Sequence, residues 1–119
     1  MKIVKRLGNL AVPIAEKQLL GFLNKHFVDY GSFQSLKIDF VKKTIAIECL
    51  LLEEKSVVKI KLVGVKIVFR DGVYYLEINE AETSRKWLTN LLNDLNNGKF
   101  GDHHIIIPSK MAILLKPLF

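Results

Sequence analysis

Val58–Ile78 has the sequence VKIKLVGVKIVFRDGVYYLEI, and its hydropathy pattern decides the fold class of the chain. Apolar and polar residues alternate along most of it, which is typical of β-strands that have one face on a core and the other in water. Asp71-Gly72 interrupts the alternation with a residue pair that favours a two-residue hairpin turn, because both residues tolerate positive φ. The stretch therefore predicts antiparallel strands.

The alternation changes phase once inside this stretch. Apolar residues occupy even positions from Val58 to Leu62 and odd positions from Val65 to Phe69. One extra residue must therefore be accommodated near Val63-Gly64, and a β-bulge at the glycine does this within a continuous strand. We expect one long strand with a bulge at Val63-Gly64.

Two earlier segments, 36–40 and 45–51, alternate in the same way and predict two more strands. Two-residue turns at Lys42-Lys43 and Glu54-Lys55 would match apolar residues across these strands. The pairs expected across the three turns are Phe40 with Ile45, Ile38 with Ile47, Leu51 with Val58, Cys49 with Ile60, Ile47 with Leu62, Phe69 with Tyr74, Ile67 with Leu76, and Val65 with Ile78. The pattern predicts a four-stranded meander.

The opposite face of this predicted sheet tests the register, because the apolar matching did not use it. The register places Lys37, Glu48 and Lys61 in one row and Lys66 opposite Glu77. Unlike charges would therefore meet across the strands, which stabilises a sheet.

Helical periodicity appears on both sides of the strands. From Pro13 to Phe27 the apolar residues repeat on one helical face, with Pro13 in the first turn. After Thr83 or Ser84 as N-cap, a second helix ends at Asn97-Gly98. Its apolar stripe, which should cover part of the sheet, consists of Trp87, Leu88, Leu91, Leu92 and Leu95.

These patterns predict an α+β fold in a single domain, residues 1–119. A single four-stranded antiparallel meander sheet carries two main helices on its apolar face. The run Ile105–Ile107 would extend the sheet to five strands, and a short C-terminal helix would begin at Ser109.

The charge balance of the chain favours an acidic partner. Eighteen Lys and Arg against 12 Asp and Glu give a net charge of +6, which would attract nucleic acid or an anionic membrane surface. However, Tyr75 is the one aromatic residue that the register places on the polar face. Binding of single-stranded nucleic acid requires several stacking rings among the cations, so we expect nucleic acid not to be the partner.

The sequence contains few residues in patterns that support catalysis. It has no phosphate-binding glycine loop, nucleophile elbow or zinc-protease motif. Asp102-His103-His104 is the one cluster of metal-ligand types, and adjacent histidines point in different directions, so a solvated loop is the better interpretation. Cys49 alternates with core residues and is expected to be an inert buried thiol. We expect a protein that is not an enzyme and has neither metal nor cofactor.

The apolar content, 50% of the residues, is high for the area that a small sheet with two helices offers to hide it. A filled core with scattered aliphatic residues on the surface is one interpretation, and an apolar binding site is the other. The second interpretation predicts a non-enzymatic module that binds a lipid acyl chain or another apolar ligand, including contact at a membrane surface. Two alternatives are a structural or protein-interaction domain that forms a homodimer or complex subunit, and electrostatic binding of nucleic acid. The expected ligand-binding residues are Phe22, Phe27, Ile38, Ile47, Ile60, Ile67, Leu88 and Leu92.

The order of these elements, from Pro13 to Pro108, resembles that of small bacterial relatives of the tubular lipid-binding (TULIP-like) proteins. The resemblance rests on the hairpin Phe69–Ile78 and the leucine-rich segment Trp87–Leu95. It implies a helix packed into a strongly curved sheet, with a lipid chain in the seam between them. It transfers no individual functional residue, because the sites of that family are apolar linings without a fixed motif.

The first residues bear on the location of the protein. The stretch Met1–Ala15 begins with basic residues, as a secretory signal does, but Gly8, Asn9 and Pro13 interrupt its apolar part. Export is therefore not supported by a clear signal peptide. No apolar run reaches the roughly 18 to 20 residues of a transmembrane helix, so we expect a cytoplasmic or peripheral membrane protein.

Overall fold

The computed structural model describes residues 2–53, 56–96 and 105–119, and the side chains of all of these except 2–10 and 95–96. Helices and antiparallel strands make up most of the described chain. In chain order the elements are α1 (Lys2–His26), β1 (Gly31–Asp39), β2 (Thr44–Leu51), β3 (Val58–Val63), β4 (Lys66–Arg70), β5 (Val73–Glu77), β6 (Glu80–Thr83), α2 (Lys86–Asn96), β7 (Ile105–Ile107), α3 (Ser109–Leu115) and a 3₁₀ turn, Lys116–Leu118.

The described strands form two sheets. Sheet A has the order β1-β2-β3-β6, sheet B has the order β4-β5-β7, and every pairing is antiparallel. The α+β class and the antiparallel pairing predicted from the sequence are therefore confirmed. The prediction of a single meander sheet is wrong, because the long third predicted strand is divided into β3 of sheet A and β4 of sheet B.

The phase change at Val63-Gly64 marks the place where the chain leaves sheet A. Gly64 has φ +68°, a conformation that L-residues rarely adopt, and it turns the chain out of the ladder. The chain returns at Asn79, whose N–H donates to the carbonyl of Val63 (2.8 Å), and Glu80 then pairs with Val63. The hairpin of β4 and β5 is thus an excursion between two neighbouring strands, and the predicted bulge within one strand is wrong.

The hairpin at Asp71-Gly72 has the predicted turn. Both residues have positive φ, +52° and +78°, as a type I′ turn requires. Two of the predicted pairs, Phe69 with Tyr74 and Ile67 with Leu76, are confirmed. The third pair is wrong, because Val65 and Ile78 both lie outside the β4–β5 ladder.

The other two predicted registers are wrong by two residues. Ile38 pairs with Ile45, and Ile47 pairs with Ile60. The first connection is longer than predicted because Asp39 Oδ1 accepts hydrogen bonds from the N–H groups of Val41 and Lys42 (3.1 and 3.0 Å). In the second connection, the predicted turn Glu54-Lys55 lies outside the described residues. A shift of two positions keeps each side chain on its predicted face, which is why the core residues are nevertheless the expected ones.

The charged face of sheet A changes with this register. Glu48 lies opposite Lys59, and Lys61 lies opposite Glu82, so the predicted row of Lys37, Glu48 and Lys61 is wrong. On sheet B the predicted pairing of Lys66 with Glu77 is confirmed.

The buried residues form two clusters. The larger one joins α1, both sheets and the C-terminal elements around Leu19, Ile45, Leu76 and Leu115. The smaller cluster consists of Cys49, Val58 and Leu88, with Phe33, Leu51, Ile60 and Leu92 packed against it. Helix α2 covers this second cluster.

Helix α1 begins well before the predicted start at Pro13, which lies inside the helix. The ring of proline suits the helical φ and removes one hydrogen bond, so a long helix can include it at a cost.

Two polar side chains of α1 bind the edge of β1. The Asn24 amide accepts from the N–H and donates to the carbonyl of Phe33 (2.8 and 2.9 Å), and Glu16 accepts from the N–H of Ile38 (2.7 Å).

Helix α2 binds the other edge of sheet A in the same way. The Asn93 amide accepts from the N–H of Ala81 (2.7 Å) and donates to its carbonyl (2.8 Å), and Thr89 Oγ1 accepts from the N–H of Thr83 (2.9 Å). Edge strands otherwise present unpaired backbone groups, so both helices complete the hydrogen bonding of the sheet while they cover its apolar face.

We expect Asn93→Ala to lower the free energy of unfolding by about 1–3 kcal/mol, because it leaves two backbone groups of Ala81 without their partner. Asn90→Ala is the matched control, since Asn90 is an exposed asparagine of the same helix. Urea denaturation of both variants measures the difference. Equal stabilities would show that the Asn93 amide does not hold α2 to the sheet.

Gly64→Ala should destabilise the protein more than Gly72→Ala. Both glycines have positive φ, which costs an alanine about 1–2 kcal/mol. At Gly64 the added Cβ would also lie 2.5 Å from Asn79 Nδ2 and 2.8 Å from Asn79 Cβ, whereas at Gly72 it meets no atom within 4 Å. Thermal unfolding of the two variants checks the order, and the reverse order would contradict the packing of Asn79 on Gly64.

Candidate functional site

The residues predicted to bind an apolar ligand lie in the two packed clusters. Those of α1 and both sheets belong to the larger cluster or pack against it: Phe22, Phe27, Ile38, Ile47, Ile60 and Ile67. Leu88 and Leu92 lie in the smaller cluster, which Ile60 also contacts. The structure therefore brings the predicted set together as two groups that pack on other side chains of the protein.

The residues singled out for chemistry are placed as follows. The side chain of Cys49 is fully buried, and its desolvation raises the pKa of the thiol. The cluster Asp102-His103-His104 lies outside the described residues. Within the described residues, no group of three or more His, Cys, Asp or Glu side chains is arranged to hold a metal ion.

A group of exposed apolar side chains lies at one end of sheet A. Five large apolar residues are exposed here by 37% to 66% of their surface, and among the described side chains other exposed ones, such as Val41, Phe69 and Ile113, lie apart from this end of the sheet. We call this group the apolar rim, and its members are Val28, Tyr30, Leu52, Val57 and Trp87.

The strand topology brings the rim together from separate parts of the chain. β1 and β3 begin at this end of the sheet, whereas β2 and β6 end there. Two hydrogen bonds show which of these segments lie close together. Leu52 N–H donates to the carbonyl of Tyr30 (2.9 Å), and the Arg85 guanidinium donates to Ser56 Oγ (2.5 Å). Helix α2 starts beside them and adds Trp87.

The rim combines apolar side chains with amphipathic aromatic rings. Trp87 and Tyr30 each have an apolar ring and one polar group, a combination that is enriched at membrane surfaces and protein interfaces. On the next turn of α2, Leu91 is exposed by 40% and extends the apolar surface along the helix. Lys25 and Lys86 are exposed cations of the adjoining helix ends, and Asp29 and Glu53 are exposed carboxylates beside Tyr30 and Leu52.

A shallow, open depression of about 400 Å³ lies next to the rim on the outer face of sheet A; apolar atoms form most of its exposed lining, and we call it the polar groove after the four charged side chains along it. Two lysines of the central strand, Lys59 and Lys61, line it between the carboxylates of Glu48 on one side and Glu82 on the other. Ala46 and Ser84 are small residues at opposite corners. Long charged side chains around small ones produce the depression.

Sequence reasoning assigned part of the rim to the wrong surface. Trp87 and Leu91 were expected to cover the sheet together with Leu88, yet they are exposed and Leu88 is buried. The sequence feature that could have indicated the rim is a series of adjacent apolar pairs. Leu51-Leu52, Val57-Val58 and Trp87-Leu88 each combine one exposed residue with one that contacts the smaller cluster.

Comparison with known proteins gave no match: no family model, no curated protein and no solved structure matches the chain. The resemblance to the TULIP-like proteins therefore stays a prediction. Among the described residues, no helix combines the length and the apolar character needed to cross a membrane.

We expect Cys49 to react with iodoacetamide much more slowly in the native protein than in urea, because burial keeps the thiol protonated and inaccessible. The raised pKa of the thiol also predicts the direction in which pH changes the stability of the protein. The folded state retains this proton more strongly than the unfolded chain, so the thiol's contribution to stability falls as pH rises above the ordinary thiol pKa. Mass spectrometry of the alkylated protein measures the rates, and equal rates would contradict the burial of Cys49.

Proposed function

We propose that this protein is a non-enzymatic module that binds the surface of a lipid membrane, with the apolar rim entering the acyl-chain region. The observation that supports it is the convergence of the five rim residues, which come from three separate parts of the chain, at one end of sheet A. An exposed apolar surface of this kind usually marks a binding site. The apolar ligand expected from the sequence is, in this proposal, the lipid of a bilayer.

The aromatic members of the rim support a membrane rather than an enclosed ligand. Trp87 is 54% exposed and Tyr30 is 66% exposed, so both rings are open to the surroundings rather than enclosed in a seam. Amphipathic rings in such positions suit the boundary between headgroups and acyl chains. The residues first expected to line a ligand site are instead engaged in the packed clusters.

The charge of the chain supports an anionic membrane. The net charge of +6 attracts an anionic surface over distances of about a Debye length, roughly 8–10 Å at moderate salt. Insertion of the rim then adds a short-range apolar contribution, at about 25 cal/mol for each Å² of apolar surface removed from water. The two contributions together are expected to give reversible binding that salt weakens.

Trp87 is the single tryptophan of the chain and reports directly on the rim. We expect its fluorescence emission to shift to shorter wavelength when the protein meets vesicles that contain an anionic lipid, because the ring leaves water. Leu52→Asn should weaken vesicle binding about fivefold to tenfold, since it removes about 1 kcal/mol or more of apolar transfer. Vesicle sedimentation measures the affinities.

Ile113→Asn is the control for this experiment. Ile113 lies on α3 and is 69% exposed, close to the 65% of Leu52, so the two variants remove equal apolar surface at different places. The control should bind vesicles as the original chain does. Equal loss in both variants, or no binding by the original chain to any vesicle, would contradict the proposed function.

A second copy of the chain is the other apolar partner that the rim could contact. In that case Trp87 emission would shift with protein concentration in the absence of vesicles, and light scattering would show a dimer. That result would favour the homodimer over the membrane. Electrostatic binding of nucleic acid stays a prediction with less support, because the residues that line the polar groove contain no aromatic ring.

A further inference from the structure

We propose that the polar groove binds the phosphoethanolamine headgroup of a membrane lipid. This inference rests on the proposed function, since it concerns the same membrane contact. The groove offers two ammonium groups, of Lys59 and Lys61, and two carboxylates, of Glu48 and Glu82. A ligand that carries one negative and one positive charge can pair with both kinds of group at once.

The spacing of the charges fits a small zwitterion. Glu48 and Lys59 are directly opposite on adjacent antiparallel strands, where Cβ atoms lie about 4.5–5.5 Å apart. In phosphoethanolamine, two carbons and an ester oxygen separate the ammonium from the phosphorus, so a single headgroup can place one charge against each of these two neighbouring side chains. Among the described side chains, the one ion pair within 4 Å is that of Arg70 with Glu77 on sheet B. The charges of the groove are therefore available to a ligand.

The half of the groove formed by Glu48 and Lys59 also lies at the depth of the headgroups when the rim is inserted, whereas Lys61 and Glu82 lie about 7 Å further from the acyl chains. A strand rises about 3.3 Å for each residue, so Lys59 lies about 7 Å above Val57 if β3 follows the membrane normal. The headgroup layer of each leaflet is roughly 5–8 Å thick. With Val57 at the boundary of the acyl chains, Lys59 and Glu48 are level with the phosphates and amines.

The lining residues favour ethanolamine over choline. A primary ammonium has N–H groups that donate to carboxylates, and Glu48 and Glu82 provide the acceptors. A quaternary ammonium has no N–H and is recognised by aromatic rings. No aromatic residue lines the groove, so the site lacks the groups that choline needs.

The test compares vesicles of phosphatidylcholine with vesicles in which part of that lipid is replaced by phosphatidylethanolamine, at the same fraction of anionic lipid. The original chain should bind the second kind about threefold to fivefold more tightly, the effect of one or two exposed ion pairs. The double variant Glu48→Gln, Lys59→Gln keeps the net charge and should lose this preference. It should bind the phosphatidylcholine vesicles as before.

The control is a second charge-neutral double variant, Lys66→Gln, Glu77→Gln, which removes a cross-strand pair from sheet B together with the ion pair of Glu77 with Arg70 and should keep the preference. Phosphatidylethanolamine also loosens lipid packing, and a preference from that cause would persist in the groove variant. Persistence would overturn the headgroup site while leaving membrane binding in place. A second outcome would also refute the headgroup site: the original chain binds both kinds of vesicle equally well, and the Leu52→Asn variant binds neither. That outcome would support the role of the rim.

Discussion

Backbone pairing between β3 and β6 is the interaction on which the other features of this molecule depend. The two strands are separated in sequence by the hairpin of β4 and β5, yet Val63 pairs with Glu80 and Ile60 with Thr83. This pairing forces the hairpin out of the ladder, where β7 joins it to form sheet B. It also brings the start of α2 beside the start of β3. Without this pairing, Trp87 and Val57 would not lie on the same surface.

The helices then lie where the edges of sheet A need hydrogen-bond partners. Asn24 of α1 and Asn93 of α2 each bind both backbone groups of one edge residue, Phe33 and Ala81. Buried backbone groups without partners are costly, so these amides fix the position of each helix along its edge strand. Helix α2 is thereby held with Leu88 and Leu92 towards the sheet. Its remaining apolar side chains, Trp87 and Leu91, are left on the outside.

The sequence predicted local structure better than the arrangement of the strands. The period of two located the strands except β6 (Glu80–Thr83), which lies where the N-cap of the second helix was predicted. Asp71-Gly72 predicted its hairpin correctly, because the turn chemistry is strictly local. The phase change at Gly64 was detected but misread, since a bulge and a departure from the sheet have the same signature in sequence. What decides between them is the long-range pairing of Val63 with Glu80, which no local pattern encodes. The length of the turn after Asp39 likewise depended on side-chain hydrogen bonds that alternation cannot show.

The candidate site was difficult to predict for a related reason. Adjacent apolar residues on a strand or in the first turn of a helix point in different directions, so a pair such as Val57-Val58 or Trp87-Leu88 supplies one residue to the core and one to the surface. Composition counts both and cannot separate them. In the structure the inward members stabilise the smaller cluster, while the outward members meet at the rim. The outward residues are exposed, so a function outside the core can account for their apolar character. The proposed membrane contact, which would remove them from water, is one such explanation.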